Sequence, residues 1–528
     1  MTIRKRTSKS LNKNSKVAEK KVEPSHYFYY IVLSSITLIA GCYFVYSFKN
    51  VQNSSNRTDS SDNSIPDFIQ LKLVKVLVVK PNEEFATKVS NLQVPVVIKN
   101  SITQTWTAKR WTPAYLSKKV SKLNGIYKNS NRWFGPYYDT SKPLGHLSTR
   151  KNIYRTDVSM KGEEFFRLLE HPKNNSYIYF TGDIDDVGSW AWSDVQPIQE
   201  LLKLNPKHSS INIWMGQPHV IAHCHYDGYH NFYAQLYGRK KFTLFRPTEW
   251  PGISPYPFLH PSHAQAQVNL SNEDSIAVFP AARNLEGHQV TLEPGDLLYM
   301  PPLWFHHVEA MDVSVSVNVW TGSMQSSVME QIFALELPFQ QVKWRKQLHK
   351  SVSTAFTIYS VISEVCKIKK CITSSQDKFS GGSNDAHRYE IMNEVSYFVL
   401  RLWQGRYKHL VSDGTLPNSI KGSSILCEQD NSDIELIYEL LELYYQPASL
   451  QYFIMDYSAR VGKLAIQLPV DTWELWLGNY VEYIVANSVG PDYVGYFLQN
   501  FDSCFTLLVS DSDMDSQFAW WLPMSMPL

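Results

Sequence analysis

The sequence predicts a mainly β domain, a barrel or sandwich, followed by a mainly helical region and preceded by one membrane-spanning helix. Three observations carry this expectation. Between about Asp67 and Trp320, short runs of β-branched and aromatic residues are punctuated by Pro, Gly and Asn. After about Met329, apolar residues recur at helical spacing. From Tyr27 to Phe48, 22 residues carry no formal charge. The 528 residues are too many for one compact core, and with 44% hydrophobic and 13% aromatic residues they can bury more than one, which excludes a wholly disordered chain. Six cysteines without a CxxC spacing exclude a disulfide-built miniprotein and a zinc finger.

The N-terminal elements come first. Residues 1–26 form a basic tail, with eight Lys or Arg against Glu19 and Glu23, in a chain whose formal net charge is +2. The remainder is slightly acidic, so no nucleic-acid partner is expected. As a helix rising about 1.5 Å per residue, 27–48 would cross the roughly 30 Å hydrocarbon layer, and it is longer than the usual apolar core of a cleaved signal peptide. The positive-inside rule then predicts a single-pass type II membrane protein, its tail cytosolic and its body in the endoplasmic reticulum or Golgi lumen, with a mitochondrial membrane as the rival address. Sequons at Asn53, Asn56, Asn174 and Asn269 agree with a lumenal glycoprotein. Residues 49–66, rich in Ser, Asn and Asp, read as a flexible stem.

In the β domain, 67–330, strands are expected at Ile211–Trp214, Phe232–Tyr237, Lys241–Phe245, Gln289–Met300 and Val313–Trp320. In the last, alternation puts the valines on one face and Ser314, Ser316, Asn318 and Trp320 on the other, as a barrel with a polar lumen requires. The helical region, 331–528, shows its period most clearly at Ile434–Tyr445 and Trp473–Val485. Its Cys366, Cys371, Cys427 and Cys504 are expected to pair as disulfides in an oxidising lumen, in one of three ways, with four buried thiols as the alternative.

The chemistry concentrates in 216–247. In an extended strand, residues two apart share a face, so His225 and Asp227 of the HYD tripeptide can reach one ion. His223 shares that face, and a shifted register could use it instead. The stretch GDLLYMPPLWFH, a turn feeding a strand, delivers His306 79 residues after Asp227. Two imidazoles and one carboxylate make a facial triad that leaves positions open and suits non-haem Fe(II). His307 should point the opposite way.

These motifs, with GRKKFTLF at 238–245, VNVW at 317–320 and YPFLHP at 256–261, resemble the JmjC or cupin-like 2-oxoglutarate oxygenases, and within them the subgroup of the HIF asparaginyl hydroxylase. The resemblance runs from about Tyr177 to Thr321. It implies a double-stranded β-helix of the jelly-roll or cupin type in which His225, Asp227 and His306 bind Fe(II). It also implies Lys240 on the distal carboxylate of 2-oxoglutarate, Tyr177, Asn231 and Asn318 as hydrogen-bonding neighbours, and Trp320 lining the pocket. An O2-dependent hydroxylation coupled to decarboxylation of 2-oxoglutarate would follow, with a protein side chain as substrate and a homodimer built through the C-terminal helices. Arg239 and Lys241 flank Lys240 as alternative cations.

The chain departs from the family pattern at Ala222, where a hydroxyl residue often reaches the cosubstrate, and at His219 and Arg246-Pro247. One lost neutral hydrogen bond would weaken cosubstrate binding by about 1 kcal/mol. Ala222 also favours the competing expectation, a catalytically silent barrel kept for interaction. An oxygenase of a small molecule, glycan or nucleoside is the third.

Overall fold

The structure, a computed structural model, describes residues 65–501 apart from 67–68, 80–83, 135–138, 140, 143, 145–155, 196–200, 202–208, 341–346, 370–396, 400, 413–449 and 499–500. Eight strands build the centre: β1 Ser209–Gly216, β2 Ile221–Tyr226, β3 His230–Tyr237, β4 Lys240–Phe245, β5 Glu286–Leu292, β6 Leu297–Met300, β7 Phe305–Ala310 and β8 Ser314–Thr321. They form two four-stranded layers, β5-β4-β7-β2 and β6-β3-β8-β1, in which every neighbouring pair is antiparallel. This alternation of strands between two facing sheets is the cupin-like architecture, and a helical C-terminal region follows it. Gln70–Leu73 and Trp133–Phe134 extend the first sheet at its two edges. Val96–Lys99 and Lys75–Val78 extend the second at one edge, and Tyr177–Asp183, Lys122–Asn129 and Thr156–Lys161 at the other.

Strand alternation decides what each face buries. Val315, Val317 and Val319 of β8 join Ile211, Ile213 and Met215 of β1 and Phe232 and Ala234 of β3 in the core behind the second sheet. Their neighbours Ser314, Ser316 and Asn318 are buried on the inner face, which is therefore a polar lumen as the sequence predicts. The expected single strand Gln289–Met300 is two, β5 and β6, because Pro294 and Gly295 turn the chain between them. Gly295 has φ 97°, a conformation open to glycine.

Behind the first sheet lies a second apolar core of Cys224, Tyr226, Phe245, Trp250, Ile253 and Phe305, which Leu475 joins from the helical region. That region includes α1 Met324–Phe333, α2 Gln347–Lys369, α3 Leu450–Ala465 and α4 Trp473–Ser488. α1 starts at a capping box of Ser323 and Ser326. α4 carries the predicted helical period and buries Trp473, Trp476, Tyr480, Ile484 and Val485 against α2 and α3.

The expected single-pass type II placement needs correction. No helix among the described residues is long and apolar enough to cross a membrane. The longest, α2, has 23 residues but includes Lys350, Glu364, Lys367 and Lys369. The segment 27–48, on which the placement and its lumenal or mitochondrial addresses rested, lies outside the described residues with the basic tail and all of the stem up to Ser64. Ile434–Tyr445, Cys371, Cys427 and Cys504 lie outside them too.

Candidate metal and dicarboxylate site

His225 lies one residue from the end of β2, Asp227 just beyond it, and His306 second in β7. The register pairs His306 with His225 across the sheet, and the turn at Pro301–Trp304 closes on the same spot, with Leu303 N donating to Asp227 O at 2.7 Å. One ligand-capable atom from each of the three side chains falls within 4.8 Å of the others. The imidazole rings are 4.1 Å apart, and His306 Nε2 is 3.7 Å from Asp227 Oδ2, too long for a hydrogen bond. The three groups therefore converge without satisfying one another.

Whether they fit a metal is decided by the other ring nitrogens. His225 Nδ1 donates to His223 O at 2.7 Å and His306 Nδ1 to Trp304 O at 3.1 Å. A carbonyl oxygen only accepts, so both protons are fixed on Nδ1 and both Nε2 lone pairs are free for an ion. Burial, reinforced by the neighbouring His225, lowers the His306 pKa and keeps the ring neutral. Asp227 Oδ2 accepts from Trp320 Nε1 at 3.1 Å and, at the long limit of 3.5 Å, from Asn231 Nδ2. Two imidazoles, each bonded through Nδ1 to a carbonyl, and an oriented carboxylate are a donor set that fits Fe(II).

His223, which shares a face with His225 on paper, does not join them. Between the pairs His306–His225 and Val308–Ala222, β2 carries one more residue than β7. That irregularity lets Ala222 pack in the chamber core and His225 reach the triad, while His223 Nε2 bonds Ala266 O at 2.7 Å. His307 turns away as expected, its ring 6.0 Å from Trp133, which also meets His223.

Lys240 opens β4 and is 2% exposed. Its rivals are occupied: Arg239 pairs with Asp312 at 2.8 Å and Lys241 with Glu309 at 2.9 Å. Lys240 has no acidic partner among the described residues. Its Nζ donates to Tyr233 Oη at 2.7 Å and lies 5.7 Å from the Tyr179 ring centroid, and burial lowers its pKa to about 7. A buried ammonium in this condition is suited to an incoming carboxylate.

A continuous lining joins Lys240 to the triad. Tyr179 packs on Trp214, Trp214 Nε1 donates to Asn318 Oδ1 at 2.6 Å, and Asn318 Nδ2 donates to Asn231 Oδ1 at 3.0 Å beside Asp227. Asn231, Asn318 and Trp320 thus stand together, bonded to the carboxylate side of the triad. Tyr177 belongs to the same cluster as Tyr179, but Tyr179 faces Lys240, and a Cβ at Gly216 would come within 2.6 Å of the Tyr179 ring. Sequence reasoning missed Tyr179, Trp214 and Tyr233. Each lay two residues along a strand from a position already singled out or inside a predicted strand, so the alternation rule could have found them.

Residues 81–323 match the family described as a cupin-like domain. The chain is 29% identical over 250 residues to HSPB1-associated protein 1 of Mus musculus, covering 44% of this chain and 49% of that protein. It is 34% identical over 137 residues to lysine-specific demethylase JMJ31 of Arabidopsis thaliana, covering 25% of each chain. It is 30% identical over 119 residues to Jumonji C domain-containing protein 5 of Drosophila melanogaster, covering 22% of this chain and 28% of that one. The chain thus spans about half the length of the first relative and about a quarter of the other two.

Proposed function

We propose that the chain is an Fe(II)- and 2-oxoglutarate-dependent oxygenase of the JmjC/cupin-like family that hydroxylates a protein side chain, a reading supported by the cupin-like match of residues 81–323 and by the relatives named for a Jumonji C domain and for lysine demethylation. The observation that carries the reading is the pairing, in one lumen, of a three-donor group whose Nε2 atoms are free with a buried lysine that lacks an acidic partner. Each half alone has a bland explanation; a cofactor site and a dicarboxylate site joined by one polar lining do not.

His225, Asp227 and His306 would hold the iron, which when bound supplies O2 activation coupled to decarboxylation of 2-oxoglutarate. The carbonyls of His223 and Trp304 keep the two imidazoles in the ligating tautomer. Trp320 and Asn231 hold the Asp227 carboxylate in place, and Asn318 and Trp214 hold Asn231 in turn. Lys240 would bind the distal carboxylate and orient the cosubstrate, with the Tyr179 and Tyr233 rings keeping water from the ammonium. A protein substrate accords with the names of relatives that demethylate lysine.

Tyr233 shares a core cluster with Ala222, and its hydroxyl accepts from Lys240 Nζ, so it can supply a hydroxyl to the cosubstrate that Ala222 lacks. Tyr233→Phe is expected to raise the 2-oxoglutarate KM about fivefold, one neutral hydrogen bond of about 1 kcal/mol, with iron affinity unchanged. A KM equal to wild type would remove Tyr233 from the site.

The test of the whole reading is anaerobic reconstitution of the full chain with Fe(II), followed by O2-dependent conversion of 2-oxoglutarate to succinate. Turnover is the expected result. Absence of both turnover and iron uptake would favour the second reading, a silent barrel, for which the apolar Ala222 speaks.

A further inference from the structure

The metal-ligand strand is fastened from behind at two places, and both fastenings lead to the buried pair Arg406 and Glu482 of the helical region. Tyr226 lies in sequence between His225 and Asp227, and strand alternation turns its side chain to the opposite face of the sheet. There its ring meets Phe305 edge-on at 5.3 Å, and Phe305 precedes His306. The residues next to all three candidate ligands therefore pack together on the rear face. Asn479 Nδ2 of α4 donates to Tyr226 Oη at 3.0 Å. Asn479 Oδ1 accepts from Arg406 Nη1 at 2.9 Å, and Arg406 Nη1 donates to Glu482 Oε1 at 2.9 Å, one turn further along α4.

The second fastening is the strap 254–268. It completes the ladder along the ligand strand: Tyr226 N donates to Ala264 O at 3.0 Å and Ala266 N to Cys224 O at 2.8 Å. The strap is held in turn by Glu482, which accepts from Phe258 N, and by Arg406, whose backbone oxygen accepts from Gln267 Nε2 at 3.0 Å. Arg406 and Glu482 are both fully buried. A buried ion pair is a weak source of stability, because apolar residues of the same volume often serve as well. What it gives here is a fixed geometry between Asn479, which holds Tyr226, and the strap that pairs with the ligand strand.

We propose that Asn479, Arg406 and Glu482 are positioning residues for the metal centre, setting the separation of His225 and Asp227 through Tyr226 and the strap. The proposal rests on the metal reading above and gives the helical region a role in the site. It predicts that loosening Tyr226 changes the metal environment without changing any ligand.

The experiment uses the full chain and Co(II), whose visible d–d spectrum reports ligand geometry, with three variants. Tyr226→Phe and Asn479→Ala each cut the link. Tyr483→Phe removes an equivalent tyrosine hydrogen bond on α4, that to Phe333 O at 2.8 Å, and controls for loss of stability. Tyr226→Phe and Asn479→Ala are expected to weaken Co(II) binding about 10-fold, the lower end of the roughly 10- to 100-fold typical of outer hydrogen-bond partners, and to shift the spectrum, while Tyr483→Phe moves neither. Should Tyr226→Phe, a variant that keeps the ring and the packing, bind Co(II) within twofold of wild type with the same spectrum, the positioning role is overturned and the metal reading stands. Should wild type take up no Co(II), both fall.

Discussion

Asp227→Ala is expected to lower Fe(II) affinity by more than about 100-fold, beyond the roughly 10- to 100-fold typical of losing an outer hydrogen-bond partner, and to abolish succinate formation. Asp227 is the anionic member of the group, and without it two imidazoles face a divalent ion alone. The variant also leaves Trp320 Nε1 without its acceptor, so the indole loses the bond that aims it into the lumen. The fold should survive, since the Asp227 side chain is 21% exposed and belongs to none of the apolar cores. Three measurements separate the outcomes: near-UV circular dichroism for the fold, anaerobic Fe(II) titration for binding, and succinate for turnover. Unchanged Fe(II) affinity in a folded variant would take Asp227 out of the ligand set.

The strands carrying this site were legible in the sequence because each has one face in a lumen and one in a core, and that asymmetry writes itself as alternation. β8 is the clearest case, its valines against Ser314, Ser316 and Asn318. The triad was legible for the same reason on one side only. Period two places His223 with His225, and nothing in the residue types announces the extra residue in β2 that separates them; it appears only once β7 is laid alongside. Tyr179 was not legible in the same way, since it shares a strand face with Tyr177 and its place beside Lys240 depends on where Gly216 leaves room. The choice of Lys240 over Lys241 and Arg239 rests in the structure on their partners 68 and 73 residues away, Glu309 and Asp312, which no local pattern reveals. The 22 uncharged residues at 27–48 show the reverse failure: length and apolarity fix only what a segment would do as a helix, and that segment lies outside the described residues.

Lys240→Met is expected to raise the KM for 2-oxoglutarate by roughly 30-fold to several thousand-fold, the counterpart of about 2–5 kcal/mol for truncating one partner of a buried, hydrogen-bonded charge pair. Iron affinity should stay near wild type, because Lys240 bonds Tyr233 and none of the three ligands. The wild-type pH dependence tests the same group independently. Burial depresses the Lys240 pKa from 10.5 to about 7, so between about pH 7 and 10.5 the unfolded chain binds more protons here than the folded one. By this group alone, folding stability should therefore rise with pH through that window, and below about 7 the full cost of burying the charge remains. Cosubstrate binding runs the other way. The dianion needs the ammonium, so above about pH 7 binding must take up a proton, and affinity should fall by up to about tenfold per pH unit. The 2-oxoglutarate KM measured from pH 6 to 9 should thus climb in wild type and stay flat in Lys240→Met. A flat wild-type profile together with a near-normal KM in the variant would show that the cosubstrate carboxylate is bound elsewhere.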